Sequence, residues 1–219
     1  MTAGTSGQGP VLVGITGGMG SGKSTVSRFW ASFMGLPRID IDGVCRFLLE
    51  KEMPGWLALR SLLPPSFFSG NGALDRGRLR AALFADSGLR REVNALLHPL
   101  ALERMREMAG RLQEAMALVD VPLLFEAGWQ DCFAARVVVY AEPAVCRRRL
   151  MARDQISSEE AVRSMAAQLP LTEKALLAGH VIDNSGCWLF SRLQVTHLAG
   201  TLASAFHLPA AGDNRVPTE

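Results

Sequence analysis

Residues 17–24 read Gly17-Gly18-Met19-Gly20-Ser21-Gly22-Lys23-Ser24. They fit the pattern G-x-x-x-x-G-K-S/T, with Gly17, Gly22, Lys23 and Ser24 at its fixed positions. The residue types match a phosphate cradle. Glycines let backbone N–H groups turn toward phosphate oxygens without a Cβ in the way. A helix starting at the end of the loop adds partial positive charge at the same point. Lys23 is expected to reach the β- and γ-phosphates, and the Ser24 hydroxyl to ligate Mg²⁺. The bland alternative is a glycine-rich strand–helix turn that holds no nucleotide.

The flanks decide against that alternative. Val11-Leu12-Val13-Gly14-Ile15 is a short apolar, β-branched run and reads as a buried parallel strand. After the loop, Val26, Phe29, Trp30, Phe33 and Met34 recur at helical spacing, with Gly35 as a C-cap and Pro37 blocking continuation. Further out, residues 38–42 read as a second strand ending in two acids. Residues 118–124 and 136–141 read as core strands, and Val181-Ile182 as a last short one. A long helical pattern from Leu89 to Ala117 is expected to be interrupted near Pro99. Ser157-x-x-Glu160 reads as a capping box opening a helix. Strands alternating with helices predict an α/β fold, a P-loop-type parallel sheet flanked by helices. The expected domain spans 11–208. Its core is 11–42 and 117–208, a helical insert lies at about 43–116, and a helical lid at about 144–178. Residues 1–10 and 209–219 are expected to be flexible termini.

Composition bounds the class. The 219 residues carry 23 Lys and Arg against 21 Asp and Glu, a net charge of +2. That balance argues against nucleic acid or a membrane surface as the main partner. Cys45, Cys132, Cys146 and Cys187 show no C-x-x-C spacing, and the four histidines show no metal-ligand spacing. The N-terminus has no basic region followed by an apolar core, and no apolar run approaches the roughly 18 residues of a membrane span. The expected location is the cytoplasm. An oligomer is compatible with the sequence but not indicated by it.

Three further groups narrow the chemistry to phosphoryl transfer. Asp40 and Asp42 flank Ile41 at the end of a strand, where open α/β sheets bind ligands. They read either as a proton acceptor beside Mg²⁺ or as solvated loop acids. Asp120 ends an apolar strand and reads either as an acid near Mg²⁺ or as a strand acid paired with a neighbour. Arg147, Arg148, Arg149 and Arg153 crowd one helix, with Arg149 and Arg153 on one face. Beside a P-loop, such a helix reads as a lid covering phosphoryl charge. No N-K-x-D guanine motif occurs. A small-molecule kinase is the favoured class. A nucleoside monophosphate kinase and a non-catalytic nucleotide-binding module remain as rivals.

The chain resembles the dephospho-CoA kinases, in order and along nearly its whole length. Ile15 to Thr25 resembles their P-loop, and Ile39-Asp40-Ile41-Asp42 with Arg46 their I-D-x-D segment. Gly72 to Arg76 resembles G-x-L-D-R, and His98-Pro99 the H-P segment. Pro122-Leu123-Leu124-Phe125-Glu126 resembles P-L-L-F-E, and Arg149 to Asp154 the lid helix. Arg163 with Gln168 and Ile182 to Gly186 close the match. The resemblance implies ATP-dependent phosphorylation of the ribose 3′-hydroxyl of dephospho-CoA, the last step of CoA synthesis. It also implies a CoA-binding role for the helical insert. Asp42 becomes the expected general base with Asp40 in reserve, and Lys23 and Arg149 the groups on the transferring phosphates. Gly18, Met19, Gly20, Ser21, Gly22, Lys23, Ser24, Thr25 and Arg153 are expected on ATP, Ser24 on Mg²⁺, and Asp40, His98, Pro122 and Glu126 on the acceptor. Two departures stand out. Cys146 occupies a lid position often held by Gln, and Gly179-His180 replaces the usual Ala-Asp before the closing segment.

Overall fold

The computed structural model describes residues 9–208; of the termini expected to be flexible, 1–10 and 209–219, residues 1–8 and 209–219 lie outside the described residues. Among the described residues, five strands and nine α-helices follow in chain order. They are β1 (Val11–Gly17), α1 (Lys23–Met34), β2 (Arg38–Asp40), α2 (Ile41–Leu48), α3 (Pro54–Leu62), α4 (Arg76–Ala85) and α5 (Ser87–Ala109). Then come β3 (Met116–Asp120), β4 (Ala135–Tyr140), α6 (Pro143–Asp154), α7 (Ser158–Ala166), α8 (Leu171–Leu177), β5 (His180–Asp183) and α9 (Trp188–Ala205).

The strands form one sheet in the order β2-β3-β1-β4-β5. β1 is central and runs parallel to β3 on one side and β4 on the other, with Ile15 opposite Asp120 and Val137. β4 runs parallel to β5. This is the expected parallel sheet flanked by helices; the chain passes from central β1 to edge strand β2, returns to β3 beside β1, then crosses to β4 and β5 on the other side. That topology opens a ligand crevice at the carboxyl end of the central strand. Every residue of β3 is buried, as a strand covered on both faces requires. Trp30 of α1 and Val195, Leu198 and Leu202 of α9 pack with Val13, Ile15, Val137 and Val139. Each aliphatic side chain buried this way contributes about 1.5–3 kcal/mol.

The described residues fall into two compact units, one within Met1–Ile39 and Leu112–Glu219, the other Asp40–Arg111. The second has its own core of Leu59, Leu63, Leu79 and Val93. Its helices α4 and α5 are capped by acids. Asp75 accepts from the Arg78 N–H at 2.9 Å, and Asp86 from Gly88 and Leu89 at 2.7 and 3.0 Å.

Four local expectations change. β2 ends at Asp40, and Asp42 lies in the first turn of α2, where residues 38–42 read as one strand. β3 ends at Asp120, and Pro122 to Gly128 forms turns, where the apolar run to Leu124 predicted continued strand. Pro122 has no N–H to continue a ladder. α5 runs unbroken from Ser87 to Ala109 with Pro99 inside it, and buried Val93, Ala101 and Met105 hold it through that position. It also ends well before Ala117, which belongs to β3. The capping box is present as expected. The Ser157 Oγ accepts from the Glu160 N–H, and the Glu160 carboxylate from the Ser157 N–H at 2.9 Å.

Candidate active site

The loop between β1 and α1 is built by close approach. Gly20 and Gly22 have φ of 77° and 88°, which L side chains rarely adopt. A Cβ on Gly20 would strike the Cys146 carbonyl, and one on Gly22 the Asn184 side-chain amide. The loop therefore lies against α6 and the β5–α9 connection with no room for a methyl group. Ser21 N–H closes back on the Gly18 carbonyl at 3.1 Å.

Side chains from distant segments pin the loop's carbonyl oxygens. Asn184 Nδ2 donates to the Ser21 carbonyl at 2.7 Å, and Arg149 Nη1 to the same oxygen at 3.4 Å. Arg149 Nη2 donates to the Asn184 carbonyl at 2.9 Å. Asn184 is buried, and its own oxygen accepts from Ser191 at 2.8 Å. A trans peptide points its C=O and N–H in opposite directions. Pinning the Ser21 carbonyl thus aims the Gly22 N–H the opposite way.

Lys23 opens α1, and its ammonium lies 3.5 Å from Asp120 Oδ2. Asp120 is 1% exposed, and the same oxygen takes Arg38 Nη1 at 2.6 Å and Ser27 Oγ at 2.9 Å. A buried carboxylate needs such partners. Its Oδ1 and the Ser21 Oγ are buried and have no partner among the described residues. Ser24 and Thr25, in the first turn of α1, are exposed.

The α6 arginines diverge. Arg149 reaches the loop, whereas Arg153 forks onto its neighbour Asp154 at 2.7 and 2.8 Å. Pro122 and Glu126 lie in the turn after β3. The Pro122 carbonyl accepts from Thr16 Oγ1 at 3.2 Å and from Lys174 at 3.1 Å. Glu126 Oε1 lies 2.7 Å from Lys174 Nζ and accepts the Leu169 N–H at 3.1 Å. Gln168 Oε1 accepts the Met19 N–H at 3.3 Å. Cys146 is buried, its thiol donates to the Ala141 carbonyl at 3.4 Å, and burial pushes its pKa up.

Asp40, Asp42 and His98 belong to the second unit. Asp40 caps α2. Its Oδ1 accepts the Asp42 N–H at 3.1 Å, and its Oδ2 pairs with Arg46 at 3.3 Å. Asp42 is exposed in the first turn of that helix. His98 lies on α5, and burial lowers its pKa. Cys45 nearby is pushed to about 11, first by burial and then by the charges of Asp42 and Asp40.

Asn184 and Lys174 had no assigned role in the sequence reading. Asn184 carried a signal, its place in the Ile182–Gly186 segment. Lys174 carried none, since one lysine in a basic helical stretch reads as solvated.

No cluster of three or more His, Cys, Asp or Glu is placed to hold a metal among the described residues. None of their helices is long and apolar enough to cross a membrane.

A central parallel strand, a glycine loop against its helix, and a lysine held over a strand acid define a P-loop kinase. Comparison with known proteins narrows this. Residues 11–188 match the dephospho-CoA kinase family, and the chain belongs to that family. It is 39% identical over 178 residues to the dephospho-CoA kinase of Anaeromyxobacter dehalogenans, covering 80% of this chain and 84% of that one. Against the dephospho-CoA kinase of Geobacter sulfurreducens it is 41% identical over 183 residues, 80% and 90% of the two chains. A Thermus thermophilus protein of solved structure superposes with a TM-score of 0.78 at 33% identity, over 90% of this chain and 98% of that one.

Proposed function

We propose that the protein transfers the γ-phosphoryl group of ATP to the ribose 3′-hydroxyl of dephospho-CoA, giving CoA and ADP. The observation that carries this reading is a fully built phosphate loop, with Lys23 and Arg149 in place, in a chain of the dephospho-CoA kinase family.

The steps assigned to this chain follow from its groups. Loop N–H groups and Lys23 hold the β- and γ-phosphates, and Arg149, already at the Ser21 carbonyl, offsets charge on the transferring group. Asp42 takes the proton of the 3′-hydroxyl. The 3′-oxygen bonds to the γ-phosphorus as the bond to the ADP oxygen breaks. Asp42 carries this role on its match to the second acid of the I-D-x-D segment, and Asp40, which caps α2 and pairs with Arg46, holds the turn that bears it. The Asp40–Arg111 unit is the proposed CoA-binding part, with His98 serving the acceptor. Residues 144–178 form the proposed lid.

The residues fit Mg²⁺. Ser24 offers a hydroxyl at the start of α1, and the unpartnered Asp120 Oδ1 suits a metal-bound water. Mg²⁺ would supply charge neutralisation between the β- and γ-phosphates.

The test is purified protein with Mg·ATP and an acceptor panel of dephospho-CoA, nucleoside monophosphates and nucleosides. CoA formation from dephospho-CoA alone is expected. Phosphorylation of a nucleoside monophosphate without CoA formation would replace this reading with the monophosphate kinase.

A further inference from the structure

Lys174 is among the largest fully buried side chains of the protein, at 0% exposure. An ammonium has three donors and no acceptor, and burying it is costly unless all three are used. Here all three are. Nζ lies 2.7 Å from Glu126 Oε1, 3.1 Å from the Pro122 carbonyl and 3.5 Å from the Gly17 carbonyl. Gly17 ends β1 and opens the phosphate loop. Pro122 and Glu126 sit in the turn after β3, and Lys174 itself on α8. One cation therefore joins three segments that the chain separates widely.

The contacts around it extend the same junction. Glu126 Oε1, the oxygen paired with Lys174, also accepts the Leu169 N–H at 3.1 Å. The preceding residue, Gln168, accepts the Met19 N–H of the loop at 3.3 Å. The first half of the loop is thus gripped twice, at the Gly17 carbonyl from α8 and at the Met19 N–H from the α7–α8 connection. The Lys174–Glu126 pair makes the first grip directly and adjoins the second through the Leu169 N–H. Holding the Gly17 carbonyl toward Lys174 aims the Gly18 N–H the other way, because the peptide between them is planar and trans. Asn184 does the equivalent for the second half of the loop at Ser21.

We propose that Lys174 is a positioning residue for nucleotide binding: its ammonium, paired with Glu126, fixes the orientation of the first half of the phosphate loop and ties that loop to the base of α8. A methionine of similar volume would fill the site but orient nothing. The loop would then pay the ordering cost when ATP binds, so the loss falls on ATP affinity. This inference rests on the phosphate-loop reading above.

The test is Lys174→Met and the double variant Lys174→Met/Glu126→Gln in the full chain. The double variant leaves no lone buried charge, so it carries the test if the single variant does not fold. Mg·ATP affinity is measured by titration calorimetry without acceptor, and the KM for dephospho-CoA separately. The expected result is an ATP Kd raised about tenfold or more in each variant, a KM for dephospho-CoA changed less in Lys174→Met, and no added loss of ATP affinity from the second substitution. ATP affinity within about twofold of wild type in a folded variant, whatever its melting temperature, would overturn the proposal. A wild-type protein that binds ATP yet forms no CoA would instead overturn the proposed reaction and leave this inference standing.

Discussion

Asp40 and Asp42 are one residue apart, yet the backbone gives them different work. Asp40 is the N-cap of α2 and spends its second oxygen on Arg46. A cap of this kind contributes about 1 kcal/mol, so Asp40 holds the helix turn that carries Asp42. Asp42 lies exposed in that turn. Removing its basicity while keeping its shape separates chemistry from architecture. Asp42→Asn is expected to lower kcat by about a hundredfold or more while ATP affinity stays within about twofold. Wild-type turnover in that variant would move the base role to Asp40. Asp120 illustrates the same rule at a buried position. With Arg38 and Ser27 on Oδ2, its charge stays compensated if Lys23 turns to phosphate as proposed.

At the scale of elements, the phosphate loop is a strand–helix connection with its slack removed. Gly20 and Gly22 hold positive φ where neighbouring atoms leave no space for Cβ. Gly20→Ala meets a backbone carbonyl of α6, not a side chain that can swing away. The expected outcome is a loss of stability of about 1–3 kcal/mol by denaturant titration, with ATP affinity falling at least about tenfold. An alanine variant with wild-type affinity would mean that the loop can move away from α6 at no cost. The capping box at Ser157 and the acid caps at Asp75 and Asp86 are the opposite kind of feature. They are local, and each is satisfied within one turn.

At the scale of the molecule, a ligand that binds only the folded state stabilises it by mass action. ATP at a hundred times its Kd adds about 2.7 kcal/mol. For a chain of this length the melting temperature then rises by roughly 5–10 °C. Lys23→Met is expected to abolish most of that rise. Equal shifts in wild type and variant would place the nucleotide away from the loop.

The order and kind of the elements were legible where a pattern is local. Val11 to Ser24 carries a strand, a loop and a helix start in fourteen consecutive residues, and Ser157 to Glu160 a complete cap. The segments from Asp40 to Gly186 placed the chain beside the dephospho-CoA kinases. What the pattern misread was also local in form. The apolar run through Leu124 resembles strand, but the turn at Pro122 is settled by Thr16 and Lys174 binding its carbonyl. Pro99 resembles a break, but burial along α5 outweighs one missing hydrogen bond.

The sequence by itself determined the P-loop, the alternation of strand and helix, and the family. The first two depend on spacing along the chain, which periodicity records directly, and the family rests on the resemblance of ordered segments to the dephospho-CoA kinases. Only the tertiary structure decided that Lys174 is a buried cation on the loop, that Arg149 and Arg153 part company, and that Asn184 holds Ser21. Those facts join residues up to 163 positions apart. A polar side chain's role depends on which partners folding brings within hydrogen-bond distance, and no interval in the sequence encodes that.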